Sequence, residues 1–580
     1  MQGELLLLTA VHLLLTGLPG AAVALFLARR GEERIPVLLA AALVGIGVTG
    51  LLGFWVYYGS HELGQTYSFL LAFGSALATL WLLFERRIDS KVLHALSTPL
   101  ALWALGTFFL VFFGFLHGGT GSPLQTGNGR FFVGQPLDPH IPWFFAKWFY
   151  SHGHHGTPPI YGTDWLASDR PPLQVGFVLA QWPFGFGGGD LNYQILAVCL
   201  QTLWIVGLWA LLVAAGVGRV TRALTMIVVL VSGLAILNGF YVWPKLLPAA
   251  MLLAAAALLI TPMWAEARAK AWGAVLIAAL VGLGMMGHGS SAFGVLALAL
   301  VAVFRGLPSW RWLAVAVAVL IVVMAPWSAY QKYGDPPGNR LLKWQLAGVS
   351  EVDSRGTLET LKGAYWEEGV GGTLHNKAEN FIVIGGGGAL ADAIKWTVEA
   401  VEHGEYWVAV QHVREIIFFD LLPSLGLLLL GPVAMLIAWI RRKRRGDPAD
   451  WRLAVDSLVV FAVGTFIWGL LMFGKAESRA IIHQGSYLIP ILGMVVGVVG
   501  LRAVFPRVGI WVAGLWAAMT LALYTPSNPL VPGPYSFWSG LIAAACVVGY
   551  CLLVLRVGRG DGPEPDGPAA PLRETEAAAV

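Results

Sequence analysis

An all-α polytopic membrane protein is the fold class this sequence predicts, on three observations. Hydrophobic residues make up 57% of the 580-residue chain and charged residues only 12%, with a mean hydropathy of +0.70. Apolar runs of about 20 residues, the length of a helix that crosses a bilayer core, recur from end to end. Lys and Arg gather at alternate ends of those runs, as a chain that passes back and forth requires. A soluble domain of this composition would expose too much apolar surface, and a β-barrel would need short alternating strands. The net charge of +4 is modest and carries no nucleic-acid signature.

The first run, Leu5 to Leu27, follows the acidic start MQGE and ends at Arg29 and Arg30. That predicts an N-terminus outside and no cleaved signal peptide. Runs near 35–58 and back to Glu85-Arg86-Arg87 complete an N-terminal three-helix segment, 1–92. The fourth run, about Leu93 to Leu116, leads outward into a polar loop, 117–190. Within that loop the apolar stretch Pro172 to Phe186 is short and ends in three glycines. Laying it in the membrane interface keeps Arg219 and Arg222 inside, so the next spanning helix is about 191–215. Helices then alternate past NGFYVWPK, Glu266-Arg268-Lys270, His288, Arg305 and Arg311 to APWSAYQKYG, closing a core of 93–330.

Residues 331–415 read as a polar outer insertion with some helix, for example Ala389 to Glu402 after a GGGG turn. It is too long for a plain connection and suits acceptor recognition or a lid. The C-terminal membrane helices, 416–559, pass the basic anchor Arg441 to Arg445, the loop GKAESRAIIHQ, and Arg502 and Arg507. The tail, 560–580, is rich in Pro, Gly, Ala and Glu and reads as a disordered cytoplasmic end. About fifteen helices result, with the C-terminus inside. Cys199, Cys546 and Cys551 all fall in apolar runs and read as core residues.

The unusual polar residues fall on the outer face or just inside it: Asp138, His140, Lys147, the His152 to His155 group, Asp164, Asp169, Arg170, Lys245, His288, Lys475, Glu477, Arg479 and His483. Ionisable groups at membrane depth are costly and mark a polar cavity or pathway. Each also has a plainer reading. Asp138 before Pro139 suits a helix N-cap, and Asp169 before Arg170-Pro171-Pro172 suits a cap or ion pair. SHGHHG reads as a metal site or as a solvated Gly-rich loop. Lys245 reads as a snorkelling lysine, and His288 as a polar cap beside Ser290 and Ser291. The KAESR group reads as an internal ion-pair cluster, but Arg479 and His483 stand one helical turn apart, which places them on one face.

The loop resembles the first outer loop of the GT-C glycosyltransferases, which use polyprenyl-phosphate-linked sugars and include the protein O-mannosyltransferases and the aminoarabinose transferases of lipid A. In that group an acidic residue opens a short helix with an alanine about eight positions on, as Asp138 and Ala146 do in DPHIPWFFA. A His-Pro-Pro-Leu signature later opens an interfacial helix; Arg170-Pro171-Pro172-Leu173 occupies that place. The next spanning helix ends in basic residues, here at Arg219. The chain departs from the group in having Pro139 where a second acidic residue is usual, Arg170 in place of His, and three helices before the core.

The resemblance implies a GT-C-like core and transfer of a sugar from a polyprenyl-phosphate donor to a glycan, lipid or protein acceptor. The expected setting is the periplasmic face of a bacterial inner membrane, among membrane lipids and without nucleic acid. Such transfer needs a carboxylate for the acceptor hydroxyl and cations for the departing phosphate. Asp138 and Asp169 are the candidates for the first role. Arg170, Lys245, Lys475 and Arg479 are candidates for the second, with Lys147, Asp164, His288, Glu477 and His483 as further pocket residues. Metal ligands stay undefined; a divalent ion such as Mg²⁺ or Mn²⁺ is compatible with the chemistry and not required by it. Two other classes compete. A surface-polysaccharide polymerase or ligase would place its large outer loop late, as 331–415 does. A polyprenyl-lipid transporter or flippase would place charges at mid-membrane, where Asp420 and Asp456 are the candidates.

Overall fold

The computed structural model describes residues 2–557 apart from 86, 133–134, 163–164, 186–188, 442–446 and 529–532. Asp164, most of the Arg441 to Arg445 anchor and the tail 560–580 therefore lie outside the described residues. Among the described residues there is no β-strand; the one bridge is an isolated pairing of Tyr161 with Trp165. Among the described residues ten helices are long and apolar enough to cross a membrane, or eleven if Arg219–Leu230 and Gly233–Tyr241, bent by 48°, are one crossing. The chain is a polytopic α-helical membrane protein.

Four shorter apolar helices, Leu246–Leu259, Ala271–Gly287, Ser291–Phe304 and Leu488–Val504, stand where the sequence places further crossings. Their surroundings explain their composition. All of Leu246–Leu259 is buried, and so is nearly all of Leu488–Val504, so these helices are apolar all round and pack only on protein. The outer ring is the reverse. His61–Phe84, Trp310–Gly334, Pro506–Tyr524 and Phe537–Arg556 leave most of their apolar residues uncovered. Phe69, Phe73, Leu77, Ile321 and Trp511 are among the side chains presented outward, a belt that only lipid can solvate.

The stretch expected to lie in the interface is a nine-residue helix, Leu173–Gln181, and every one of its residues is buried. It is too short to cross, as expected, but it packs inside the protein and not on its surface. Glycines make that possible. A Cβ on Gly176 would overlap the carbonyl oxygen of Gly50, and one on Gly53 would lie 2.6 Å from the carbonyl oxygen of Gly176. Two backbones therefore touch where Leu173–Gln181 crosses Ile35–Gly59.

One end of the bundle is tied by short polar contacts. Arg29 pairs with Glu85 at 2.7 Å, Arg34 bridges Glu32 and Glu266, and Arg305 pairs with Asp456. Asp450 accepts from Gly218 N at 3.2 Å and Thr221 Oγ1 at 2.6 Å, holding the start of Arg219–Leu230. The other end carries the 117–190 loop and the insertion. The insertion is mostly helix: Arg340–Ala347, Thr357–Ile384, Gly387–Glu402 and Tyr406–Phe419. Gly386, at φ +89°, makes the turn after which Gly387–Glu402 begins.

Candidate active site

Asp138 begins a 3-10 turn, Asp138–His140, that runs into the helix Ile141–His152. Neither the turn nor the helix has a side-chain cap, so the plainer reading of Asp138 does not describe it. Its carboxylate faces two other elements. Oδ2 lies 3.4 Å from Nη2 of Arg170 and 3.6 Å from Nε2 of His483. Burial alone would raise the Asp138 pKa. Arg170, the His483 contact and Lys245 outweigh it and hold the carboxyl below its ordinary value, so it is ionised at neutral pH.

Arg170 precedes the proline pair that starts Leu173–Gln181, so the backbone contact at Gly50 fixes its position. Its guanidinium carbon lies 4.1 Å from the ring centre of Trp165 and 4.6 Å from that of Trp243. Two indole faces thus hold a planar cation with little water around it, an arrangement that an ammonium would fit less well. Nη1 of Arg170 donates to Nε2 of His288 at 3.4 Å; arginine has no acceptor, so the imidazole nitrogen accepts. The other ring nitrogen, Nδ1, lies 2.9 Å from Ser290 Oγ and 3.1 Å from Ser290 N. Ser290 Oγ donates to the carbonyl of Gly485 at 3.0 Å. Asp138, Arg170, His288, Ser290 and Gly485 form one polar chain across three loops.

Lys245 enters from the turn between Gly233–Tyr241 and Leu246–Leu259. Its ammonium donates to the carbonyls of His483 and, at 3.3 Å, Gly485, and lies 5.5 Å from the ring centre of Tyr487. Only 2% of the residue is exposed, so it is not a snorkelling lysine. The turn is strained: Val242 has φ +56°, a region that a β-branched side chain rarely adopts. Gln201 caps the start of Leu246–Leu259, its Oε1 accepting from Leu246 N at 3.0 Å and Leu247 N at 3.2 Å.

His483 stacks on Trp243 with ring centres 4.9 Å apart, and burial lowers its pKa despite the Asp138 contact. Nε2 is the ring nitrogen that faces the carboxylate, 3.6 Å away. The expectation that Arg479 and His483 share a helix face fails. Ala476–Ser478 and Ile482–Gln484 are separate 3-10 turns with extended backbone between them. Arg479 is exposed and turns into a neighbouring cavity, while His483 is buried.

Asp138, Arg170, Trp243, His288 and His483 line a chamber of about 350 Å³, with Trp344, Gln345, Phe419, Glu477 and Ile481 around it; Lys245 is not on its wall. Asp169 is not among them. Its side chain is fully covered, accepts from Leu166 N at 2.9 Å and pairs with Arg340 at 3.3 Å, so it holds the loop and does not meet the chamber. Lys475 pairs with Glu368 at 2.8 Å on the surface, and Lys147 is exposed beside the Trp143 ring. His152 stacks on Trp148 and His154 bonds the Tyr58 carbonyl, both exposed.

The insertion supplies residues that the sequence did not single out. Asp335 accepts from Ser168 N at 2.7 Å, Gln331 donates to Ser168 O at 3.0 Å, and Arg340 lies 4.4 Å from the Trp165 ring centre. No local spacing signals these partners, which are more than 160 positions away in the chain.

The donors around Asp138 do not fit a divalent ion: the carboxylate already faces a guanidinium, and the chamber's other carboxylate, Glu477, is exposed. Among the described residues no three His, Cys, Asp or Glu side chains gather to hold a metal. The chamber suits an anion beside a polar group with a labile proton, since a guanidinium and a carboxylate stand side by side on its wall. A scan of family models, a search of curated proteins and a search of solved structures each find no match to this chain.

Proposed function

We propose that this chain is a membrane glycosyltransferase of GT-C type, moving a sugar from a polyprenyl-phosphate donor to an acceptor hydroxyl on the outer face of a bacterial inner membrane. In this reading the helices make about fifteen crossings, counting the bent pair and the four short inner helices. The observation that carries it is the pairing of Asp138 with the buried Arg170 on the wall of one chamber at the end of a membrane bundle, with Lys245 buried behind His483. Buried cations that outnumber their buried carboxylate are costly unless an anion visits.

The donor phosphate competes with Asp138 for Arg170. As it binds, the carboxylate loses its guanidinium partner, becomes more basic and takes the acceptor hydroxyl instead. The acceptor oxygen then bonds to the sugar's anomeric carbon as the bond from that carbon to the phosphate oxygen breaks. The hydroxyl proton goes to Asp138, and the electron pair leaves with the phosphate, whose growing charge Arg170 meets on the chamber wall. His288 holds Arg170 in register, and His483 orients the carboxylate through Nε2.

The test is transfer from a radiolabelled polyprenyl-phosphate sugar by the full chain in liposomes. Asp138→Asn removes transfer, by about 10²–10⁴-fold, while donor binding persists. Full activity in that variant would end the reading. A polymerase remains the second reading, because insertion residues such as Trp344 and Gln345 line the chamber where a growing chain would lie. Long products in the same assay would favour it over single-sugar addition.

A further inference from the structure

A second cavity, of about 450 Å³, lies beside the Asp138 chamber, and Phe419 and Ile481 line both. Its size is that of a small-molecule site, about 300–1,000 Å³. Its chemistry is opposite to that of the chamber. Four carboxylates line it, Glu379, Asp392, Glu415 and Asp420, against Arg479 and His412. Asp420 is the telling one. It is 5% exposed, and among the described residues its carboxylate accepts no hydrogen bond and joins no ion pair. A buried carboxylate without a donor is costly unless a ligand supplies one. Burial, with Glu415 adding, pushes Asp420 up to about 7, the behaviour of a carboxyl that lacks its cation.

The wall also carries Trp396, 48% exposed, with its ring centre 5.4 Å from that of His412. An open indole face beside carboxylates stacks on the apolar face of a sugar ring and attracts an ammonium. Polyprenyl phosphate, an anion, does not belong here.

We propose that this acidic cavity is the acceptor subsite and takes a saccharide bearing a protonated amine, with the ammonium at Asp420 and the ring against Trp396. The assignment of the cavity to an acceptor rests on the transferase reading above; the binding of an amino saccharide does not. The shared Phe419 and Ile481 place such a ligand next to the Asp138 chamber.

The test is calorimetric binding of the β-linked glucosamine disaccharide to the full chain in nanodiscs, without donor. Its N-acetylated counterpart is the control. The free amine is expected to bind at least about tenfold more tightly, the worth of one charge-assisted hydrogen bond. Asp420→Asn and the exposed Trp396→Ala each lose about tenfold. Equal binding of the two disaccharides would overturn the proposal, as would unchanged binding in both cavity variants. Binding of putrescine as tight as that of the disaccharide would overturn the saccharide part. Since no transfer is measured, failure here leaves the transferase reading standing. Loss of transfer chemistry with binding intact does the reverse.

Discussion

The guanidinium groups of Arg170 and Arg340 share one indole: they lie 4.1 and 4.4 Å from the ring centre of Trp165. Each has its own carboxylate, Asp138 for Arg170 at 3.4 Å and Asp169 for Arg340 at 3.3 Å. Arg170 belongs to the first long loop and Arg340 to the insertion, so Trp165 joins two segments that are far apart in the chain. The Asp138 pair borders the chamber, and the Asp169 pair is sealed away from it.

Arg340→Met should therefore act on structure before chemistry. It leaves Asp169 buried without its cation, a loss of about 3 kcal/mol. The expected result is a lower thermal midpoint and earlier proteolysis within 331–415, measured on the protein in nanodiscs. Asp169→Asn in the same chain recovers part of the loss, since the pair and not either member is at issue.

Arg170→Lys keeps the charge and loses the planar stack on Trp165 and Trp243. Transfer should fall about 10²-fold in kcat with a small change in donor KM, and Arg170→Ala about 10³-fold. Steady-state rates with labelled donor measure both. Equal activity of Arg170→Lys and the parent would mean that charge alone suffices.

The pH dependence comes from Asp138, whose pKa is lowered in the folded chain. The ionised pair contributes stability that is fully present above the unfolded-state value of about 3.9 and is lost as pH falls through the lower folded value. Between pH 5 and neutrality, unfolding of the parent and of Asp138→Asn should therefore differ by a constant amount, with the gap closing only at stronger acid. Paired thermal melts across that range check the sign.

Gly176→Val adds side-chain atoms where the backbone of Leu173–Gln181 meets Gly50. Overpacking of this kind costs about 1–3 kcal/mol or more. Transfer should fall further than stability does, because Arg170 begins the same segment. Comparing thermal midpoint with residual activity separates the two effects.

Much of the site is legible in the sequence because ionisable side chains in an apolar chain have few plain reasons to exist. Asp138, Arg170, Lys245, His288 and His483 meet accordingly. Lys475 and Lys147 do not join them, since both are exposed and find partners there, Glu368 for Lys475 and the Trp143 ring for Lys147. Asp169 looks like a reactive carboxylate in the sequence because its sealing partner, Arg340, comes from the insertion, where composition gives no pairing. The four-residue spacing of Arg479 and His483 means a shared face only in a helix. Gly474, at φ +92°, and Gly485 bracket the two short turns that form instead. The long crossings are readable from length and hydropathy alone. The buried place of Leu173–Gln181 is not, because lipid and protein are equally apolar neighbours for a short hydrophobic run.

The joint between Gly50, Gly53 and Gly176 has a mechanical meaning. Where two helices meet main chain to main chain, no rotamer can flip to absorb a displacement. The loop that carries Arg170 is thereby riveted to the second helix, and any opening of the chamber must come from its other rim, the insertion bearing Arg340 and Trp344.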